Sequence, residues 1–158
     1  MDKLISIDDL PDLIKKLREK NKKIATTNGA FDLFHAGHLR SLNFAKSFAD
    51  ILIVGLNSDK SIKEYKSRIR PIIPQEQRIE ILCALSCVGY VVVFDEKTPE
   101  RLLEIIKPDF HIKGSEYKGN IIEEKIVKKY SGQIKFIERT EISTTNIIHK
   151  ILGEKNEK

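Results

Sequence analysis

Apolar positions recur along the chain in two periods, and the alternation between them predicts a succession of helices and strands. Ile7, Leu10, Leu13, Ile14 and Leu17 form one stripe of a helix over 7–20, with Ser6 placed to cap it. A short strand is expected at 23–28, and helical spacing returns over 36–48 through Leu39, Leu42 and Ala45. The run DILIVGL at 50–56 is the pattern of a parallel strand buried on both faces. Beyond it the same periodicities give a helix over 74–86, a strand over 88–94 and a helix from Pro99 to Ile106 behind a Thr98 cap. A strand over 109–114, a helix over 121–130, a strand over 134–137 and a helix over 143–152 complete the series. The stretch 57–75 is polar, basic and broken by Pro71 and Pro74, which suits a partly helical active-site loop better than core.

Strands alternating with helices predict a doubly wound, Rossmann-like α/β fold, with a mainly parallel sheet, helices on both faces and a ligand site at the carboxyl ends of the strands. A single domain is expected over 1–152, beginning with the N-terminal helix within 1–22, and residues 153–158 are expected to be a frayed tail. The polar segments NGAFD, NSD, KGSEY and RTEISTT each follow a predicted strand directly, so the topology carries them to one edge of the sheet.

Composition narrows the function classes. Hydrophobic residues make up 41% and charged residues 32%, an ordinary globular balance. No apolar run nears the ~18 residues of a membrane span. The start MDKLISIDDLPDLIKK carries acids where a signal peptide needs a basic, then apolar, stretch, so a soluble cytoplasmic protein is expected. The net charge of +5 suits either nucleic acid or small phosphorylated ligands, but the basic runs REKNKK and EEKIVKK interleave with acids as solvated helix faces do. Cys83 and Cys87, four apart in a helical pattern, are expected to share a helix face as small apolar groups.

The most concentrated chemistry lies in TTNGAFDLFHAGHLRSL, where His35 and His38 flank Gly37 at a strand-to-helix junction. As a metal site the pair lacks a third ligand nearby, and as structural histidines two in this setting are hard to explain. Phosphate binding accounts for more. A helix N-terminus offers unpaired N–H groups, Gly37 lets a polyphosphate approach the backbone, and two imidazoles can donate to its oxygens. Gly29 is expected to free the preceding turn to present further amides.

GAFDLFHAGH resembles the Gly-x-Phe-Asp-x-x-His-x-Gly-His signature of the cytidylyltransferase-like nucleotidyltransferases, and STTNIIHKI is similar to their closing Ser-Thr-Thr helix. Within that superfamily TNGAFD, LNSD, RPIIPQEQR, TPERLLEIIKPD and KGSEY most resemble the adenylyltransferases of bacterial ADP-heptose synthesis, over about residues 24–152. The resemblance implies that His35 and His38 contact nucleotide phosphates, joined as catalytic residues by Lys66 and Thr144. It places Asn28, Gly29, Ala30, Phe31 and Gly37 around the phosphates, with Arg78 as a recurring nucleotide-binding arginine. It further implies nucleobase and ribose contacts from Lys113, Gly114 and Glu116, and nucleotide contacts from Arg139, Thr140, Ser143, Thr144 and Thr145. Asp32, Asn57 and Asp59 fall at substrate-binding positions, with a structural role for Asp32 and an ordinary salt bridge for Arg78 as the plainer alternatives. His111 and His149 lie outside the signature and are expected to be structural or surface residues.

The reaction that the resemblance implies is an in-line displacement: the oxygen of a sugar 1-phosphate, D-glycero-D-manno-heptose 1-phosphate in that branch, attacks the α-phosphorus of ATP and pyrophosphate leaves. Mg²⁺ is the implied cofactor, bridging phosphate oxygens, with no metal ligand assigned to a protein side chain. The implied partners are small molecules, not nucleic acid or membrane, with a separate sugar kinase in the pathway; apolar helix faces are consistent with a homodimer. RTEISTT points instead towards CTP-dependent enzymes acting on glycerol 3-phosphate, but LSCVGYV lacks their cytosine-contacting element, which favours ATP. A non-catalytic nucleotide-binding module is the rival from another class, and it gives no reason for both histidines and the distant Ser-Thr-Thr.

Overall fold

The computed structural model describes residues 2–65, 69–119, 121–138 and 142–153. Ile24–Gly29 (β1), Ile51–Asn57 (β2), Tyr90–Phe94 (β3), Phe110–Gly114 (β4) and Gln133–Ile137 (β5) form one sheet in the order β3-β2-β1-β4-β5. Every pairing is parallel, and Leu4 adds an isolated parallel bridge to Val91. Parallel neighbours need crossover connections, and helices supply them: Ala36–Lys46 (α2), Asp59–Tyr65 (α3), Gln75–Ala84 (α4), Glu100–Ile106 (α5) and Glu124–Lys129 (α6). Leu10–Glu19 (α1) precedes the sheet, and Thr144–Leu152 (α7) follows it.

Period-two alternation on the strands divides the core between the two faces. Leu52, Val54 and Leu56 of β2 join Leu42 and Ala45 of α2 and Ile79 and Leu82 of α4. Ile53, one residue out of step, joins Leu10, Ile14 and Leu17 of α1 with Leu102 and Ile106 of α5. Helices therefore cover both faces, as the sequence pattern predicts. Gly55 is required where β2 meets α5, because a Cβ there would stand 2.7 Å from Leu102 Cδ2 and 3.2 Å from the Phe94 ring.

Several boundaries differ from the sequence reading for local reasons. Ser6 does not cap α1: its hydroxyl accepts from the Asp9 N–H at 3.1 Å and donates to the Asp9 carboxylate, closing a turn, and the helix starts at Leu10 with Pro11 in its first turn. α4 ends at Ala84, so Cys87 lies beyond the helix and does not share a face with Cys83. Both thiols are free, and burial pushes each above its ordinary range. β3 begins at Tyr90: Val88 N–H closes a turn on the Leu85 carbonyl, and Gly89 N–H reaches the Leu52 carbonyl of β2 just ahead of the strand. Gly153, expected in the tail, ends α7 as a left-handed cap at φ 71°. The remaining tail residues, 154–158, lie outside the described residues. Among the described residues no helix is long and apolar enough to cross a membrane.

Candidate active site

The strand order reverses between β1 and β4, which is where an open α/β sheet leaves a crevice. Here the ladder between them holds only two residue pairs, Ala25 with Phe110 and Thr26 with His111, and then the strands part. Side chains span the gap beyond: Thr27 Oγ1 donates to the Ile112 carbonyl at 3.2 Å, and Lys113 Nζ donates to Asn28 Oδ1 at 3.3 Å. A cavity of about 530 Å³ opens over this fork, lined by Asn28, Asn57, Lys113 and Glu123. A second of about 390 Å³ adjoins it over the N-termini of α2 and α7. His38, Arg70 and Thr144 border both, so the site has two lobes with these residues at their junction.

His35 and His38 meet at the mouth of α2. Their rings stack with centroids 3.9 Å apart. His35 is the N-cap, its Nδ1 accepting from the Gly37 N–H at 3.1 Å, while the His35 N–H is directed at His38 Nδ1 at 3.4 Å. An Nδ1 that accepts from the backbone leaves the proton of a neutral imidazole on Nε2, so both rings are set to donate through Nε2. Burial lowers the His35 pKa and so favours that neutral form. The fit is to hydrogen-bond donation towards an anion, and metal ligation would need Nε2 stripped of its proton.

Behind the histidines, the loop from Ala30 to Phe34 is held from three directions. Arg78, in α4, is 1% exposed and donates to the carbonyls of Ala30 (2.5 Å), Asn57 (2.9 Å) and Ile73 (3.0 Å), and pairs with Asp59 at 2.7 Å. This corrects the nucleotide-binding role implied for Arg78: its donors are committed inside the protein, and it acts as a strut. Asp59 faces that strut, and Asn57 donates through its side chain to Ser61 Oγ while lining the larger lobe. Asp32 is likewise sealed in, at 1% exposed, accepting from Arg70 Nε at 2.6 Å and from the Ile72 and Ile73 N–H groups. Burial alone would raise its pKa, but the two backbone N–H bonds and the Arg70 guanidinium outweigh it and hold the carboxyl below its ordinary value. Asp32 therefore orders the loop, and its own carbonyl accepts from Thr144 Oγ1 at 2.7 Å, fastening α7 to the same loop.

The backbone freedom expected of Gly29 falls elsewhere. Gly29 ends β1 in strand conformation, and the left-handed residues are Phe31 (φ 49°) and Leu33 (φ 46°). Non-glycine residues in that region are sparsely populated and persist where surroundings over-determine them, which the three clamps on this loop do.

At the head of α7, Ser143 Oγ accepts from the Asn146 N–H at 3.1 Å as the N-cap, so capping belongs to Ser143 and leaves Thr144 to its bond with Asp32. Ser143, Thr144, Thr145 and Gly37 all line the smaller lobe. Across the fork, Lys113 pairs with Glu123 at 2.6 Å and lies over the Tyr117 ring. Gly114 and Glu116 border both lobes, and a Cβ at Gly114 would land on the Glu116 carboxylate. Lys66, Arg139 and Thr140 lie outside the described residues. Arg70 and Glu123 are missing from the sequence reading. Arg70 had a usable signal in its place opening RPIIP, whereas Glu123 sits in EEK, which reads as a solvated helix start.

Among the described residues there is no group of three or more His, Cys, Asp or Glu side chains placed to hold a metal ion. Of the cleft carboxylates, Asp32 is engaged by Arg70 and Glu123 by Lys113. A divalent cation carried on phosphate oxygens is compatible with that donor set.

A parallel sheet split at its switch point, with two helix N-termini and a paired-histidine cap over the split, defines an α/β domain of the nucleotidyltransferase type, and residues 26–150 match the Cytidylyltransferase-like family. The chain belongs to that family. It is 43% identical over 152 residues to "Bifunctional protein HldE" of Geobacter metallireducens, covering 95% of this chain and 31% of the relative. A protein of the same name from Wolinella succinogenes is also 43% identical, covering 96% and 32%. The chain thus spans about a third of the length of these curated relatives. Two solved structures share the fold. A lipopolysaccharide core biosynthesis protein from Thermoplasma volcanium aligns with TM-score 0.61 at 21% identity, covering 77% of this chain and 99% of that one. The pantoate-beta-alanine ligase of Francisella tularensis aligns with TM-score 0.60 at 18% identity, covering 97% and 80%.

Proposed function

We propose that the protein is a nucleotidyltransferase that moves the adenylyl group of ATP onto a sugar 1-phosphate, D-glycero-D-manno-heptose 1-phosphate, and releases pyrophosphate. The observation that carries this reading is the junction of the two lobes, where His38, Arg70 and Thr144 stand between a smaller lobe walled by two helix N-termini and a larger polar one. Helix N-termini and Nε2–H donors suit the triphosphate, and the side chains of Asn28, Asn57, Lys113 and Glu123 suit a hydroxylated ligand.

In-line attack by an ionised sugar phosphate on the α-phosphorus asks for positioning and neutralisation of charge, with no covalent intermediate. His35 and His38 donate to oxygens on which charge builds, the clamped β1–α2 loop fixes where those donors stand, and α7 receives the departing phosphates. Lys66 is assigned the contact with the reacting phosphates, and Arg139 and Thr140 the nucleotide contacts, that the family resemblance implies. Bound Mg²⁺ would shield the triphosphate, held by its oxygens. The resemblance of TNGAFD, RPIIPQEQR and KGSEY to the ADP-heptose adenylyltransferases supports the sugar, and a sugar kinase would supply it already phosphorylated.

The test is pyrophosphate release with ATP, CTP and GTP, each offered heptose 1-phosphate, glycerol 3-phosphate and phosphoethanolamine. Release with ATP and heptose 1-phosphate is expected. Release only with CTP and glycerol 3-phosphate would overturn the substrates while keeping the mechanism, and no release with any pair would overturn the enzyme reading.

A further inference from the structure

Glu123 precedes α6 and is 6% exposed, yet its side chain reaches the larger lobe of the cleft. A carboxylate so deeply placed is costly unless its charge is met, and Lys113 meets half of it, 2.6 Å from Oε1. No described residue donates to Oε2. Lys113 is itself 13% exposed at its side chain and is held on its other side by Asn28 Oδ1 and over the Tyr117 ring. The carboxylate is therefore fixed in orientation by a partner that cannot swing away, with one acceptor oxygen left to the cavity.

We infer that Glu123 is a specificity-determining residue: Oε2 accepts a hydrogen bond from a hydroxyl of a polyol phosphate bound in the larger lobe. The chemistry favours a hydroxyl over other ligand groups. A phosphate would be repelled by the carboxylate, and an amine would compete with Lys113, whereas a hydroxyl donates without changing the charge of the pair. An ionised acceptor makes a stronger bond than a neutral one, and a site built around such an acceptor rejects a ligand that lacks the hydroxyl. The hydroxyl has two sources, the ribose of the nucleotide and the sugar of the second substrate. The inference rests on the proposed transfer reaction only in taking these polyol phosphates as the ligands.

Equilibrium binding to the full chain, by calorimetry, separates the sources. One arm compares ATP with its 2′-deoxy and 3′-deoxy forms; the other compares mannose 1-phosphate with its 2-, 3- and 4-deoxy forms. Removing one particular hydroxyl in one arm is expected to weaken binding at least ~10-fold in the unchanged protein. Glu123→Gln is expected to shrink that difference severalfold, because a neutral amide oxygen accepts more weakly and only the parent ligand makes the bond. Glu123→Asp keeps the charge for Lys113 while withdrawing the oxygen, and serves the same comparison if the Gln variant does not fold. Deoxy ligands that all bind as their parents do, or a deoxy penalty of unchanged size in the variant, would overturn the inference. Since the readout is binding, its result is independent of pyrophosphate release, so failure of the transfer reaction and failure of this contact are told apart.

Discussion

The donor role proposed for His38 depends on geometry that a single substitution can remove. Its imidazole stacks on His35, and the backbone bond to Nδ1 directs Nε2–H outward. His38→Ala is expected to lower turnover at least ~100-fold, the scale of losing one preorganised donor, with the circular dichroism and melting curve close to native. Near-native turnover in that variant would contradict the donor role. Asp32 illustrates the opposite case, a residue of the same motif whose carboxylate never reaches the ligand because Arg70 and two N–H groups consume it. The sequence marked both residues as special. Only the contacts separate the one that faces the cleft from the one that holds the wall.

At the scale of elements, α4 governs the site from behind. Through Arg78 it gathers the end of β1, the end of β2 and the segment before its own first turn. Arg78→Met would leave three carbonyls without their donor in a buried setting, and at ~1 kcal/mol or more for each, a loss of ~3 kcal/mol is expected in urea unfolding. A loss below ~1 kcal/mol would show that water or neighbouring groups replace the guanidinium. The order and kind of the elements were legible because parallel strands buried on both faces and one-faced helices leave different periods in the sequence. Boundaries were not, since they depend on turns such as Ser6 with Asp9 and on where a chain must bend to reach its neighbour. The strut role of Arg78 was equally hidden: an arginine four residues after Pro74 looks like a surface residue until 57 and 30 are brought beside it. Glu123 was lost for a similar reason, because its partner Lys113 stands on β4, ten residues earlier in the chain.

For the molecule as a whole, the buried histidine of β4 sets an acid limit. His111 is fully buried; Nδ1 lies 2.8 Å from Thr26 Oγ1, and Nε2 has no partner among the described residues. Burial, aided by the charge of Lys113, lowers its pKa from 6.5 to about 3. Between those values the unfolded chain binds a proton that the folded chain refuses, so stability falls as pH falls, by roughly 1.4 kcal/mol per unit. His111→Gln is expected to flatten the dependence of unfolding free energy on pH between about 4.5 and 6 relative to the unchanged protein. His35, also lowered by burial, keeps a share of the slope in both proteins. An unaltered slope would mean that His111 is not the group responsible. The same histidine marks the last rung that β1 and β4 share before they part. Past that rung the width of the opening is a matter of two side chains, Thr27 and Lys113, reaching across like spacers in a jig. Surface loops can lengthen or shrink and change what furnishes the site, but its aperture is gauged within the sheet, so retuning it for a bulkier or slimmer ligand means exchanging a spacer rather than rebuilding a loop.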